Sequence, residues 1–210
     1  MGSRLDALNA LVNNPKYADY LAILKGARNG FVYGVKIRFP HAVVMAILFG
    51  RGDWASRVRA ILRATRTHAV NLASFVALYK SAMLLQRKLN DGKQRKLDTF
   101  FAGLVGGFIV FGDRTAVNEQ IVLYVVSRVV ATLIPRAYPP PAPGSGAAVR
   151  PIPPSSKHFA VFSALAWGAV MYLFAEKGYT IQPGMFSSMN YLYKDSDKWD
   201  GLKTLLWHNT

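Results

Sequence analysis

The chain has 210 residues, a hydrophobic fraction of 51% and a formal net charge of +15, with a mean hydropathy of +0.16. Its Lys and Arg sit between apolar blocks instead of forming one patch, which fits a lipid bilayer as the partner and argues against nucleic acid. The absence of cysteine excludes disulfides, thiolate metal sites and a cysteine nucleophile.

In chain order, Met1 to Tyr20 is mixed and polar, without the apolar core of a secretory signal, so membrane entry through internal signals is expected. Tyr20 to Gly34 carries Gly26, Gly30 and Gly34 at intervals of four, one stripe on a helix face. Lys25 and Arg28 make this segment a poor neighbour for lipid, which predicts a protein-facing helix or a break near Asn29-Gly30. Phe39 to Gly50 and Thr67 to Tyr79 are apolar blocks, each short for an independent crossing. Between them, Arg57 to His68 is amphipathic, with Val58, Ile61, Leu62 and Thr65 on one face and Arg59, Arg63 and Arg66 on another. The plain use of such a stretch is a helix end solvated by headgroups; the sharper one is a targeting element, carried by Arg57, Arg59, Arg63 and Arg66.

Thr99 to Gly112 is dense in small residues, and Ala102 with Gly106 and Gly103 with Gly107 form small-xxx-small pairs on adjacent faces. In lipid such pairs let helix backbones approach closely, where packing replaces the missing hydrophobic drive. Ala116 to Ile134 is a further apolar helix, spanning or interfacial, with Glu119 and Arg128 inside it. Pro135 to Ser156 is too rich in Pro, Gly, Ser and Ala to bury a core and reads as an exposed linker. Phe159 to Ala175 runs without a charge between Lys157-His158 and Glu176-Lys177, the clearest single crossing. Gly178 to Thr210, with Trp199 and Trp207, reads as an interfacial tail. Arg51 to Arg66 and Lys80 to Lys96 are both basic, so the distribution of charge among connections does not choose an orientation.

No constellation for catalysis stands out. His41, His68, His158 and His208 lack metal-ligand spacing, and the Asp195, Asp197, Asp200 cluster is interleaved with Lys194 and Lys198, unlike a calcium loop. No cofactor is expected. Arg114 and Glu119, in the polar run Phe111 to Gln120, are candidates for an interhelical ion pair. Arg28, Lys36, Asn71, Glu119 and Arg128 are the polar groups available to line a pore.

Three blocks, Leu24 to Phe49, Gly103 to Val129 and Ser187 to Trp199, resemble the peroxisomal membrane protein 4 family. The similarity runs in order through nearly the whole chain; Pro139 to Pro154 departs from it as an insertion in a loop. That family is in turn similar to the channel-forming subunits of mitochondrial inner-membrane preprotein translocases, through Lys25-Gly26 with Arg28-Asn29, the Arg38-x-Pro40 step and the Gly103 to Gly107 block. The resemblance implies an all-α, multi-pass membrane bundle, a glycine-packed four-helix core with one or two additional helices. It also implies a peroxisomal address and delivery by the soluble peroxin receptor for membrane proteins. The expected organisation is a membrane core over 1–134, a linker over 135–157, a last transmembrane helix over 158–177 and a tail over 178–210. The function expected is non-enzymatic, a structural or solute-passage role through lateral helix assembly and self-association. A preprotein-translocation subunit is the alternative, and a membrane-bound enzyme ranks last.

Overall fold

The computed structural model describes residues 2–50, 52–142, 144, 148 and 150–206. Trp207 and His208, and the stretch 145–147 of the Pro-rich segment, lie outside the described residues. Helices dominate: α1 (Gly2–Val12), α2 (Ala18–Phe49), α3 (Trp54–Leu89), α4 (Asp98–Phe111), α5 (Ala116–Ala131), α6 (Ser156–Lys177), α7 (Pro183–Met189) and α8 (Leu202–Leu206). Among the described residues the one β feature is an isolated bridge between Arg136 and Pro154. The segments Pro15–Phe49, Trp54–Leu89 and Ser156–Thr180 are long and apolar enough to cross a membrane, and Asp98–Phe111 is a shorter apolar helix. The chain divides into two compact units, Met1–Ser127 and Arg128–Thr210.

In the first unit α2 and α3 form an antiparallel hairpin. Gly34 lies against Ala69, Gly30 against Leu72 and Ala73, and Gly26 against Val76 and Lys80. This contact explains why α2 does not break at Asn29-Gly30. Glycine's weak helix propensity is offset where its bare backbone lets a neighbouring helix touch. The Phe39 to Gly50 block is therefore the second half of one 32-residue helix that continues through Pro40, although proline removes one hydrogen bond from the ladder. Likewise Arg57 to His68 and Thr67 to Tyr79 belong to one 36-residue helix. The basic segment that begins at Lys80 is not all connection: helix continues to Leu89, because Ser81 to Leu85 prolongs the apolar run past the lysine.

The hairpin is closed at its turn by Asp53, which caps α3 by accepting from the Ser56 amide at 3.1 Å. Hydrogen bonds from Ser56 hold that carboxyl below the ordinary aspartate range. At the open end, Arg87 pairs with Asp19, and Lys88 Nζ donates to the Tyr20 hydroxyl at 2.7 Å. α4 stands beside the second half of α3. Gln86 donates to the Asp98 carbonyl at 3.1 Å, Gly106 faces the Phe75 ring, and the rings of Phe75 and Phe111 lie 5.7 Å apart.

The second unit centres on Phe174, which is buried and packs against Phe186 at 5.8 Å and Tyr193 at 6.3 Å. Lys194 lies over the Phe174 ring at 5.0 Å. The Pro-rich segment is pinned at both ends, since Ala137 donates to the Pro153 carbonyl at 2.9 Å and Ser155 to the Pro135 carbonyl at 2.8 Å.

Candidate functional site

Polar groups at the level of the apolar helices are the natural candidates for function, because each cation at mid-membrane costs about 3 kcal/mol on insertion scales. The 14 residues of α4 span about 21 Å and stand beside α3 between Phe75 and Gln86. The 32 and 36 residues of α2 and α3 reach about 48 and 54 Å, well beyond a hydrocarbon core of about 30 Å. The half of α3 beside α4 is Ala69 to Leu85, which pairs with Tyr20 to Gly34 of α2, and the Arg-rich start of α3 pairs with the apolar second half of α2.

Two polar assemblies follow. The first is a junction at the end of α4. Asn118 is 4% exposed and accepts from Asn71 on α3 at 2.7 Å. Its own amide donates to the carbonyls of Asp113 at 3.0 Å and Val110 at 3.3 Å, and its backbone N–H donates to the Thr115 hydroxyl at 3.2 Å. Beside it, Arg38 on α2 donates to Gln120 at 2.8 Å. One turn of α5 is thereby tied to three other segments. Arg38 Nε, Thr65 Oγ1 and His68 Nδ1 are buried without a hydrogen-bond partner.

The second assembly is an open groove of about 610 Å³ between α2 and α3, lined by Arg28, Asn29, Tyr33, Lys36, Val76 and Lys80 among others. Lys25, Arg28, Asn29 and Lys36 are exposed. Lys80 enters from α3. Its stem crosses Gly26 so closely that a Cβ there would lie 2.8 Å from Cδ and Cε. Arg28 donates to the Asn29 side chain at 3.1 Å.

The sequence-predicted residues distribute as follows. Gly26, Gly30, Gly34, Ala102 and Gly106 are buried, the three α2 glycines and Gly106 against α3. Gly103 and Gly107 have no atom within 4 Å of an added Cβ. Arg114 and Glu119 form an ion pair of 3.3 Å, within the α4–α5 turn and the first turn of α5; Arg114 is 82% exposed, so the pair contributes little. Arg57 donates to the Gly52 carbonyl at 3.2 Å and lies over the Trp54 ring at 5.1 Å. Arg59 bonds back to the Ala55 carbonyl at 3.3 Å, and Arg63 and Arg66 line an open hollow with Asn71. No cluster of metal-ligating side chains occurs among the described residues.

Sequence reasoning missed Lys80, which looked like the start of a loop, and gave Asn118 no special weight. The signals were present: apolar residues on both sides of Lys80, and Thr115 three residues ahead of Asn118 as a helix start.

The family model described as Tim17/Tim22/Tim23/Pmp24 matches residues 16–127, ending where the first compact unit ends. The chain is 42% identical over 209 residues to Peroxisomal membrane protein 4 of Bos taurus, covering 98% of this chain and 92% of that one. It is 40% identical over the same length to Peroxisomal membrane protein 4 of Homo sapiens, again covering 98% and 92%. No solved structure matches the chain.

Proposed function

As a member of the Tim17/Tim22/Tim23/Pmp24 family, this chain is an integral, multi-pass protein of the peroxisomal membrane, and we propose that it acts there without catalysis, organising the membrane or passing solutes through lateral assembly of its helices. The observation that supports this reading is an unused packing surface. Ala102 is buried and Gly106 faces Phe75 of α3, whereas an added Cβ at Gly103 or Gly107, the parallel pair on α4, meets nothing within 4 Å. Small residues at that spacing admit a second helix backbone, and a lipid-facing helix gains nothing from glycine. A second copy of the chain is the simplest occupant.

The test is the full-length protein reconstituted in phosphatidylcholine. Wild type is expected to run as an assembly on native gels and to conduct in planar bilayers. Gly103→Leu with Gly107→Leu is expected to lose both, while the fold of the monomer is kept because no neighbour is displaced. An unchanged gel pattern and unchanged conductance in that variant would overturn the reading. The alternative, a subunit that inserts or translocates polypeptides, is favoured by the kinship with the translocase subunits in the family. Crosslinking to importing polypeptides in the absence of conductance would select it.

A further inference from the structure

We propose that the groove between α2 and α3 is an intramembrane binding site for an anionic group, a carboxylate or a phosphate, held by Arg28, Lys36 and Lys80. The inference deepens the solute-passage reading and rests on it for its biology: the solute would be an organic anion.

The lining of the groove contains three cations and no carboxylate. The ion pairs among the described residues, Asp19 with Arg87 and Arg114 with Glu119, leave all three out. Arg28, Lys36 and Lys80 lie on the two helical segments, Pro15–Phe49 and Trp54–Leu89, that are long and apolar enough to cross a membrane, where a cation without a counter-charge is poorly tolerated. Lys80 is also built into its place. Gly26 provides the slot for its stem, and any larger residue would press on Cδ and Cε. Arg28 is steadied by Asn29. The Arg28 guanidinium and the Lys80 ammonium match the oxygens of a phosphate or carboxylate, and Lys36 offers a further position along α2.

A free solute suits the geometry better than a resident lipid. Headgroup phosphates lie at the interface, about 15 Å from mid-core. Arg28 and Lys36 are two turns apart on α2, about 12 Å along its axis, and so present successive positions leading inward. Several weak sites in file favour passage over permanent capture.

The test uses the full-length protein and the charge-neutral variant Arg28→Gln with Lys80→Met, the methionine keeping an unbranched stem across Gly26. In planar phosphatidylcholine bilayers under a KCl gradient, wild type is expected to show a reversal potential of the chloride sign, and the variant to lose it. Conductance with no chloride preference, or with a preference the variant retains, would overturn the anion site while leaving solute passage standing. Absence of any conductance would instead sink the passage reading, and the site is then judged by binding alone. In neutral maltoside micelles, dodecyl phosphate is expected to raise the unfolding midpoint of wild type and not of the variant, with dodecanol inert towards both. Phosphatidic acid added to the same micelles separates the sources: a variant-sensitive rise with phosphatidic acid but not dodecyl phosphate would assign the anionic group to a lipid. Equal rises in wild type and variant with both probes would overturn the site altogether.

Discussion

At the residue scale, the three glycines of α2 share a face but not a role. Gly34 and Gly30 admit backbone: an added Cβ would lie 2.6 Å from the Ala69 Cα and 2.8 Å from the Leu72 carbonyl oxygen. Gly26 admits side chains, the stem of Lys80 and a methyl group of Val76. Backbone of a rigid helix cannot yield, whereas a lysine stem can. Gly34→Ala is therefore expected to destabilise the hairpin by about 1–3 kcal/mol, and Gly26→Ala by clearly less. Unfolding titrations of both variants in mixed micelles check the order, and equal losses would contradict it. The stripe itself was legible from spacing alone. Which atoms each glycine receives depends on the register of α3, to which the spacing within α2 is blind.

At the element scale, α5 is held by its first turn. Asn118 joins it to Asn71 on α3 and to the carbonyls of Val110 and Asp113, while Val122, Leu123, Tyr124, Val125 and Val126 are exposed apolar surface. Such a face suits lipid or a neighbouring helix and supplies little hold within the unit. Asn118→Ala would leave the Asn71 amide without its acceptor and remove both bonds to the turn, at a cost of about 1–3 kcal/mol. Amide exchange across Ala116–Ala131 is expected to speed up in that variant, with α3 unchanged. Exchange confined to its wild-type rate would show that lipid, not the junction, positions α5. An exposed-looking polar run in the sequence suggested the charged residues Arg114 and Glu119 as the linking pair. The neutral amide carries the link instead, because an asparagine can donate and accept in one buried place without the desolvation penalty of a charge.

At the scale of the whole molecule, both halves of the hairpin are basic, and the turn end carries a run of arginines. Arg57, Arg59, Arg63 and Arg66 belong to the half of α3 that extends past α4, beside the exposed apolar residues Val44, Met45, Ile47 and Leu48 of α2. As a targeting element, which the sequence suggests, this stretch would be needed for delivery and not for insertion. Replacing the four arginines by glutamine is expected to lower delivery to peroxisomes in fluorescence images of cells while the protein still inserts into vesicles. Normal peroxisomal delivery would dismiss the stretch as a targeting element.

Composition, the glycine spacing and the uncharged run before Glu176 were enough to mark a helical membrane protein, because hydrocarbon tolerates only backbone that satisfies itself, and the resemblance of the blocks Leu24 to Phe49, Gly103 to Val129 and Ser187 to Trp199 gave its family. Helix continuity through Asn29, Pro40 and Lys80 was decided by tertiary structure, since packing between α2 and α3 overrides the local penalties of glycine, proline and charge. So was the lining of one groove by Arg28, Lys36 and Lys80, residues up to 52 positions apart by numbering (80 − 28). That Lys80 of α3 lines the same groove as Arg28 and Lys36 of α2 is set by the register of two antiparallel helices, a property of the pair that neither segment carries alone.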